Sequence, residues 1–162
     1  MDYSLFQAFK EDFNKNIADT LLDIYVFETD KHDWQKVIDY LQRETKHDFI
    51  FFVNHEHHVL PSRVEEVFDV ASNHSVFLCV DKGLLNLHCY FFTFEQIEFD
   101  LDPRIITDEN RFKHLLDFIH GIGRILQKKV VVTPESNEIV HYLSYDPTIG
   151  NDIWSLPNWG SM

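Results

Sequence analysis

Four consecutive residues, His55-Glu56-His57-His58, offer three imidazoles and a carboxylate, the donor types that hold zinc. The helical zinc-protease pattern needs a second histidine four places after the first. That place holds Val59. The run follows a continuous apolar segment and precedes Leu60-Pro61, so it is expected in a solvated turn, and no metal ligand and no cofactor is assigned. Gly121-Ile122-Gly123-Arg124 has phosphate-loop glycines but falls late in a helical pattern, not between a strand and a helix start. Its glycines are read instead as sites of close helix–sheet approach. His88 and Cys89 are strand neighbours and point to opposite faces, so they do not make a thiol–imidazole pair. Glu135, Glu138, Asp146 and His141 lie at no spacing that demands acid–base work, and Thr133, Ser136 and Ser144 lie in no nucleophile elbow. No catalytic residue is assigned.

The feature with the most content is an acidic stripe. Gln96 to Asp102 alternates, with Ile97, Phe99 and Leu101 inward and Glu98, Asp100 and Asp102 outward. Like charges at alternate strand positions cost stability, and they read either as a binding surface or as a charged sheet edge that resists aggregation. Leu84–Phe92 carries Leu85, Leu87, Cys89 and Phe91 on one side and Asn86, His88 and Tyr90 on the other. If the two runs form a hairpin, apolar residues must face apolar ones. A three-residue loop, Thr93-Phe94-Glu95, meets this condition. It sets Phe91 against Ile97, Cys89 against Phe99 and Leu87 against Leu101. On the polar side it sets Tyr90 against Glu98, His88 against Asp100 and Asn86 against Asp102. That side joins an aromatic group, a titratable group and negative charge, and is the candidate partner surface.

These side chains need elements to position them. Leu5, Phe6, Phe9, Phe13 and Ile17 give residues 2–18 a helical stripe. Leu21–Phe27 reads as a strand. A helix opening at Asp30 or His32 and running to about Arg43 buries Trp34, Val37, Ile38 and Leu41. Phe49–Val53 and Ser75–Val80 are apolar on both faces and are expected at the centre of a covered sheet. Ser62–Ser72 is a short helix. Thr107 or Asp108 caps the longest helix, which runs to about Leu126. Val130–Thr133 and Ile139–Tyr145 are the last strands, and residues 147–162 are expected to lie as an irregular tail bearing Trp154 and Trp159. The expectation is one compact α+β domain over residues 1–162, with a single mixed, mostly antiparallel sheet and helices mainly on one face.

The chain has 162 residues, 44% of them apolar and 15% aromatic, enough to bury a core. Its formal net charge of −13 repels nucleic-acid phosphates and anionic membranes and attracts a basic protein. No secretory signal and no apolar run of membrane-spanning length is visible, and two cysteines in apolar runs fit free buried thiols in a reducing cytoplasm.

The run Ile97–Arg104, the amphipathic helix after it, and Lys129–Glu135 resemble small acidic bacterial proteins, some of them immunity partners of secreted toxins. The resemblance covers residues 75–146. It implies a bacterial cytoplasmic protein that blocks a toxin by occlusion. Expected function is therefore stoichiometric binding of a basic toxin or effector without turnover, through His88, Tyr90, Glu98, Asp100 and Asp102, with Tyr90 or Trp154 as aromatic anchor. The alternative is a small enzyme or metal-binding domain using His55, Glu56, His57 and His58.

Overall fold

The computed structural model describes residues 3–12, 20–43, 47–135 and 137–154. Its elements in chain order are α1 (Tyr3–Asp12), β1 (Leu22–Phe27), α2 (Lys31–Arg43), β2 (Phe49–Val53), β3 (Glu56–His58), α3 (Val64–Ala71), β4 (Val76–Val80), β5 (Leu87–Tyr90), β6 (Gln96–Leu101), α4 (Glu109–Leu126), β7 (Val130–Pro134), β8 (Leu143–Asp146) and β9 (Asn151–Trp154). The strands form one sheet in the order β3-β2-β4-β5-β6-β1-β7-β8-β9. Every pairing among the described strands is antiparallel. The fold is α+β with a single sheet, as expected; no parallel pair makes it mixed.

Local sequence explains the helix starts. Asp30 and Asp33 cap α2 reciprocally: Asp30 Oδ1 accepts from the Asp33 N–H at 2.9 Å, and Asp33 Oδ2 from the Asp30 N–H at 3.1 Å. Asp108 caps α4 by accepting from the Arg111 N–H at 2.8 Å. The α2 stripe Trp34, Val37, Ile38 and Leu41 is buried as expected, and so is the α4 stripe, joined by Phe118. Phe6 and Phe9 of α1 both pack on Phe112 of α4. Phe13 and Ile17 lie outside the described residues.

One core joins these helices to one face of the sheet. Leu22, Ile24, Val26, Ile97, Phe99, Leu101, Leu87, Cys89, Leu78, Val80, Val130, Val132 and Leu143 belong to it. Tyr25, Cys79 and Val131, which alternate with them, are buried yet outside that cluster. They belong to the second face, as do the half-exposed Phe52, Phe77, His88, Tyr90, Glu98 and Asp100.

Several expectations need correction. Phe49–Val53 is one strand in from the edge and only Phe51 of it is buried, so it is not a central strand covered on both faces. Its second apolar face is the open one: Phe52 stacks on Phe77 of β4 at 4.8 Å. Leu84–Phe92 is paired only from Leu87 to Tyr90. Its beginning is drawn into a turn, where the Asp81 carbonyl accepts from the N–H groups of Leu84, Leu85 and Asn86 at 2.9–3.0 Å. The tail is not wholly irregular. Asp146 accepts from the Thr148 N–H and hydroxyl, Gly150 takes φ +80°, and Asn151–Trp154 returns as β9 beside β8. Trp159 lies outside the described residues.

Candidate functional site: the open face of the sheet

The hairpin register is the one that face matching demands: His88 pairs with Asp100, Cys89 with Phe99 and Tyr90 with Glu98. The pairings continue across the sheet. One row runs His57, Phe52, Phe77, Tyr90, Glu98, Tyr25, Val131, Ser144 and Ile153, one residue per strand. The row beside it runs Ile50, Cys79, His88, Asp100, Asp23 and Thr133. Side chains on one face of paired strands stand about 5 Å apart, so each row is a contiguous strip.

The strips are aromatic at one end and acidic in the middle. Phe52 meets the His57 ring edge-on at 4.9 Å, and Phe77 lies 6.1 Å from Tyr90. Tyr90 stacks on Phe92 at 5.5 Å, and Phe92 is 70% exposed. Next to Tyr90 stand Glu98 and Asp100, and beyond them the buried Asp23; Asp23, Glu98 and Glu138 act on Tyr25. The Tyr25 hydroxyl lies 3.2 Å from Asp23 Oδ2 and 3.5 Å from Glu98 Oε1. Burial, then the charges of Asp23 and Asp100, raises the Glu98 carboxyl above its ordinary 4.5. Burial and the same carboxylate cluster push both the Tyr25 and Tyr90 hydroxyls up. A groove of about 570 Å³ opens on this face, lined in part by Phe77, Cys79, Lys82, His88, Tyr90 and Asp100.

The site residues expected from sequence are only partly brought together. His88, Tyr90, Glu98 and Asp100 share the face, and His88 Nδ1 lies 3.5 Å from Asp100 Oδ1. Asp102 lines the groove but is engaged locally: it caps a 3₁₀ turn at Pro103–Ile105 and holds Arg104 at 2.7 Å, which lowers its carboxyl below the ordinary range. Asn86 also lines the groove, from a turn with φ +51° and not from a strand paired with Asp102. Trp154 pairs through its backbone with Leu143, five strands from β5, a separation of about 24 Å; its side chain lies outside the described residues. Sequence reasoning missed Phe52, Phe77 and Tyr25. For Phe52 and Phe77 the signal was the apolar second face of β2 and β4, which was read as buried; Tyr25 lay in a strand whose faces were not assigned.

Chemistry at the other candidates is limited. Cys79, His88 and Asp100 stand side by side on three neighbouring strands, a thiol–imidazole–carboxylate order. The thiol is buried, burial raises it above its ordinary 9.0, and this favours the unreactive protonated form. Cys79 and Cys89 are free and point to opposite faces. His55, His57 and His58 are exposed. Only His55 occupies the turn, with Asn54, both at positive φ; His57 and His58 lie on edge strand β3. Gly121 faces the Tyr40 hydroxyl of α2, and Gly123 faces the Tyr145 ring of β8, so only Gly123 serves helix–sheet approach. Among the described residues, the trio whose ligand atoms converge is His47, Asp81 and His114. No described helix is long and apolar enough to cross a membrane. No protein-family model matches this chain, and neither a curated protein nor a solved structure is detectably similar to it.

Proposed function

We propose that this chain is a non-catalytic binding protein of the immunity type, acting in the bacterial cytoplasm by stoichiometric association with a basic toxin or effector. The observation that carries the reading is the open part of the sheet face: an aromatic strip beside Glu98 and Asp100, with a groove of about 570 Å³. Aromatic side chains with a polar neighbour are the usual energetic anchors of an interface. Carboxylates beside them select cationic groups, and the net charge of −13 steers a basic partner to the surface. A Lys or Arg side chain of the partner would enter the groove with its stem on Phe77 and its charge toward Asp100. Occlusion needs no turnover, and burial holds the Cys79 thiol of the groove in its protonated, unreactive form.

The test is co-expression of the full chain with the basic protein encoded beside it. A one-to-one complex that abolishes the partner's toxicity is expected. Loss of toxicity without a stable complex, or full neutralisation of the partner by substoichiometric amounts of this chain, would replace binding by catalysis.

A further inference from the structure

We infer that His47, Asp81 and His114 bind a divalent transition-metal ion of the zinc type, at a site separate from the open-face groove and independent of the function proposed for it. One ligand atom from each residue lies within 4.8 Å of the other two. Asp81 Oδ2 is 2.8 Å from His47 Nδ1 and 3.2 Å from His114 Nε2. Tetrahedral zinc, with bonds of about 2.0–2.2 Å to nitrogen and oxygen, sets its ligand atoms about 3.3 Å apart. Both imidazole–carboxylate separations lie within about 0.5 Å of that value.

A second observation points the same way. His114 Nε2 sits at ion-pair distance from the carboxylate, and this buried atom makes no hydrogen bond among the described residues. A nitrogen close to an oxygen but aimed past it is the arrangement of two ligands that share a third atom. The His47 side chain is 0% exposed and that of Asp81 3%, so water does not meet these groups freely. A buried carboxylate in such a place calls for a cation. Two imidazoles and one carboxylate suit zinc and its first-row neighbours, not magnesium or calcium, which take oxygen ligands.

The fold fixes all three positions before any ion arrives. The Asp81 N–H donates to the Asp48 carbonyl at 2.8 Å, and its φ of +54° is held by the turn that its own carbonyl organises. The His47 ring packs edge-on against His114 at 4.7 Å and Phe118 at 5.3 Å, both on α4. Entry is from the His114 side, which is 24% exposed. Three protein ligands leave the fourth place to water. With so little access, the ion serves to tie the segment before β2, the turn after β4 and helix α4 together.

The experiment uses the full chain without a histidine tag, carrying His55→Ala, His57→Ala and His58→Ala to remove the exposed imidazoles. The protein is stripped with chelator and given Zn²⁺ or Co²⁺ alone. The expected results are one retained zinc per chain, a visible tetrahedral Co²⁺ band, and a Tm raised by about 5–10 °C at zinc about 100-fold above Kd. Asp81→Asn keeps the size and the tolerance of positive φ, and His114→Gln keeps a polar group at the mouth. Each is expected to weaken zinc binding more than about 100-fold while leaving the metal-free circular dichroism unchanged. No retained zinc, or retention that survives both substitutions, overturns the assignment.

Discussion

Glu98 carries the conflict built into the open face. Its carboxyl is half-buried beside Asp23 and Asp100, and its pKa is raised above the ordinary 4.5. The folded state therefore binds more protons than the unfolded one between 4.5 and the raised value, so stability falls as pH rises through that window and stays lower above it. Glu98→Gln should stabilise the protein by about 0.5 kcal/mol at pH 7, the repulsion being trimmed by solvent screening. The gain should vanish below pH 4.5, where both states are protonated. Urea unfolding at the two pH values measures this, and an equal gain at both would remove the electrostatic explanation. The two cysteines give a second residue-scale check. Both thiols are buried and free, so the native protein should react slowly with a thiol reagent and yield both thiols in denaturant. A fast-reacting native thiol would reopen the Cys79–His88–Asp100 row as a nucleophile site.

Gly123 sets how closely α4 lies on β8. A Cβ there would stand 2.8 Å from the ring of Tyr145, a residue 3% exposed whose hydroxyl accepts from Arg124 Nε at 3.2 Å. Gly123→Ala should cost about 1–3 kcal/mol of unfolding free energy, read from the denaturation midpoint at unchanged slope. A neutral result would mean that the ring gives way freely. Elements of this kind were legible where one period dominated. Asp108 and the stripe from Phe112 to Leu126 marked α4, and alternation in Gln96–Leu101 fixed the hairpin register to the residue. Strand order was less legible, because apolarity on both faces of Phe49–Val53 has two causes: a helix layer, or a neighbouring aromatic such as Phe77. The turn at Leu84–Asn86 was hidden because a single carbonyl, that of Asp81, overrides an alternating pattern. The His47–Asp81 pair spans 34 residues and joins only when β2 pairs with β4, so no local spacing announces it.

Across the whole molecule, helices cover one face of the sheet and leave aromatic and acidic strips on the other. The net charge of −13 acts at range, while the strips act at contact. The two should therefore separate kinetically. Asp102 is balanced by Arg104, so Asp102→Asn should change association less than Asp100→Asn. The central claim is tested most directly by stopped-flow association of the basic partner with the wild type, with Tyr90→Ala, and with the pair Glu98→Gln and Asp100→Asn. Tyr90→Ala should raise the dissociation rate at least about 10-fold with little effect on association. The charge pair should slow association several-fold at low salt and lose that effect near 1 M salt, where screening acts within about 3 Å. Rates unchanged in all variants at low salt would contradict the account and leave the acidic face as a device for solubility.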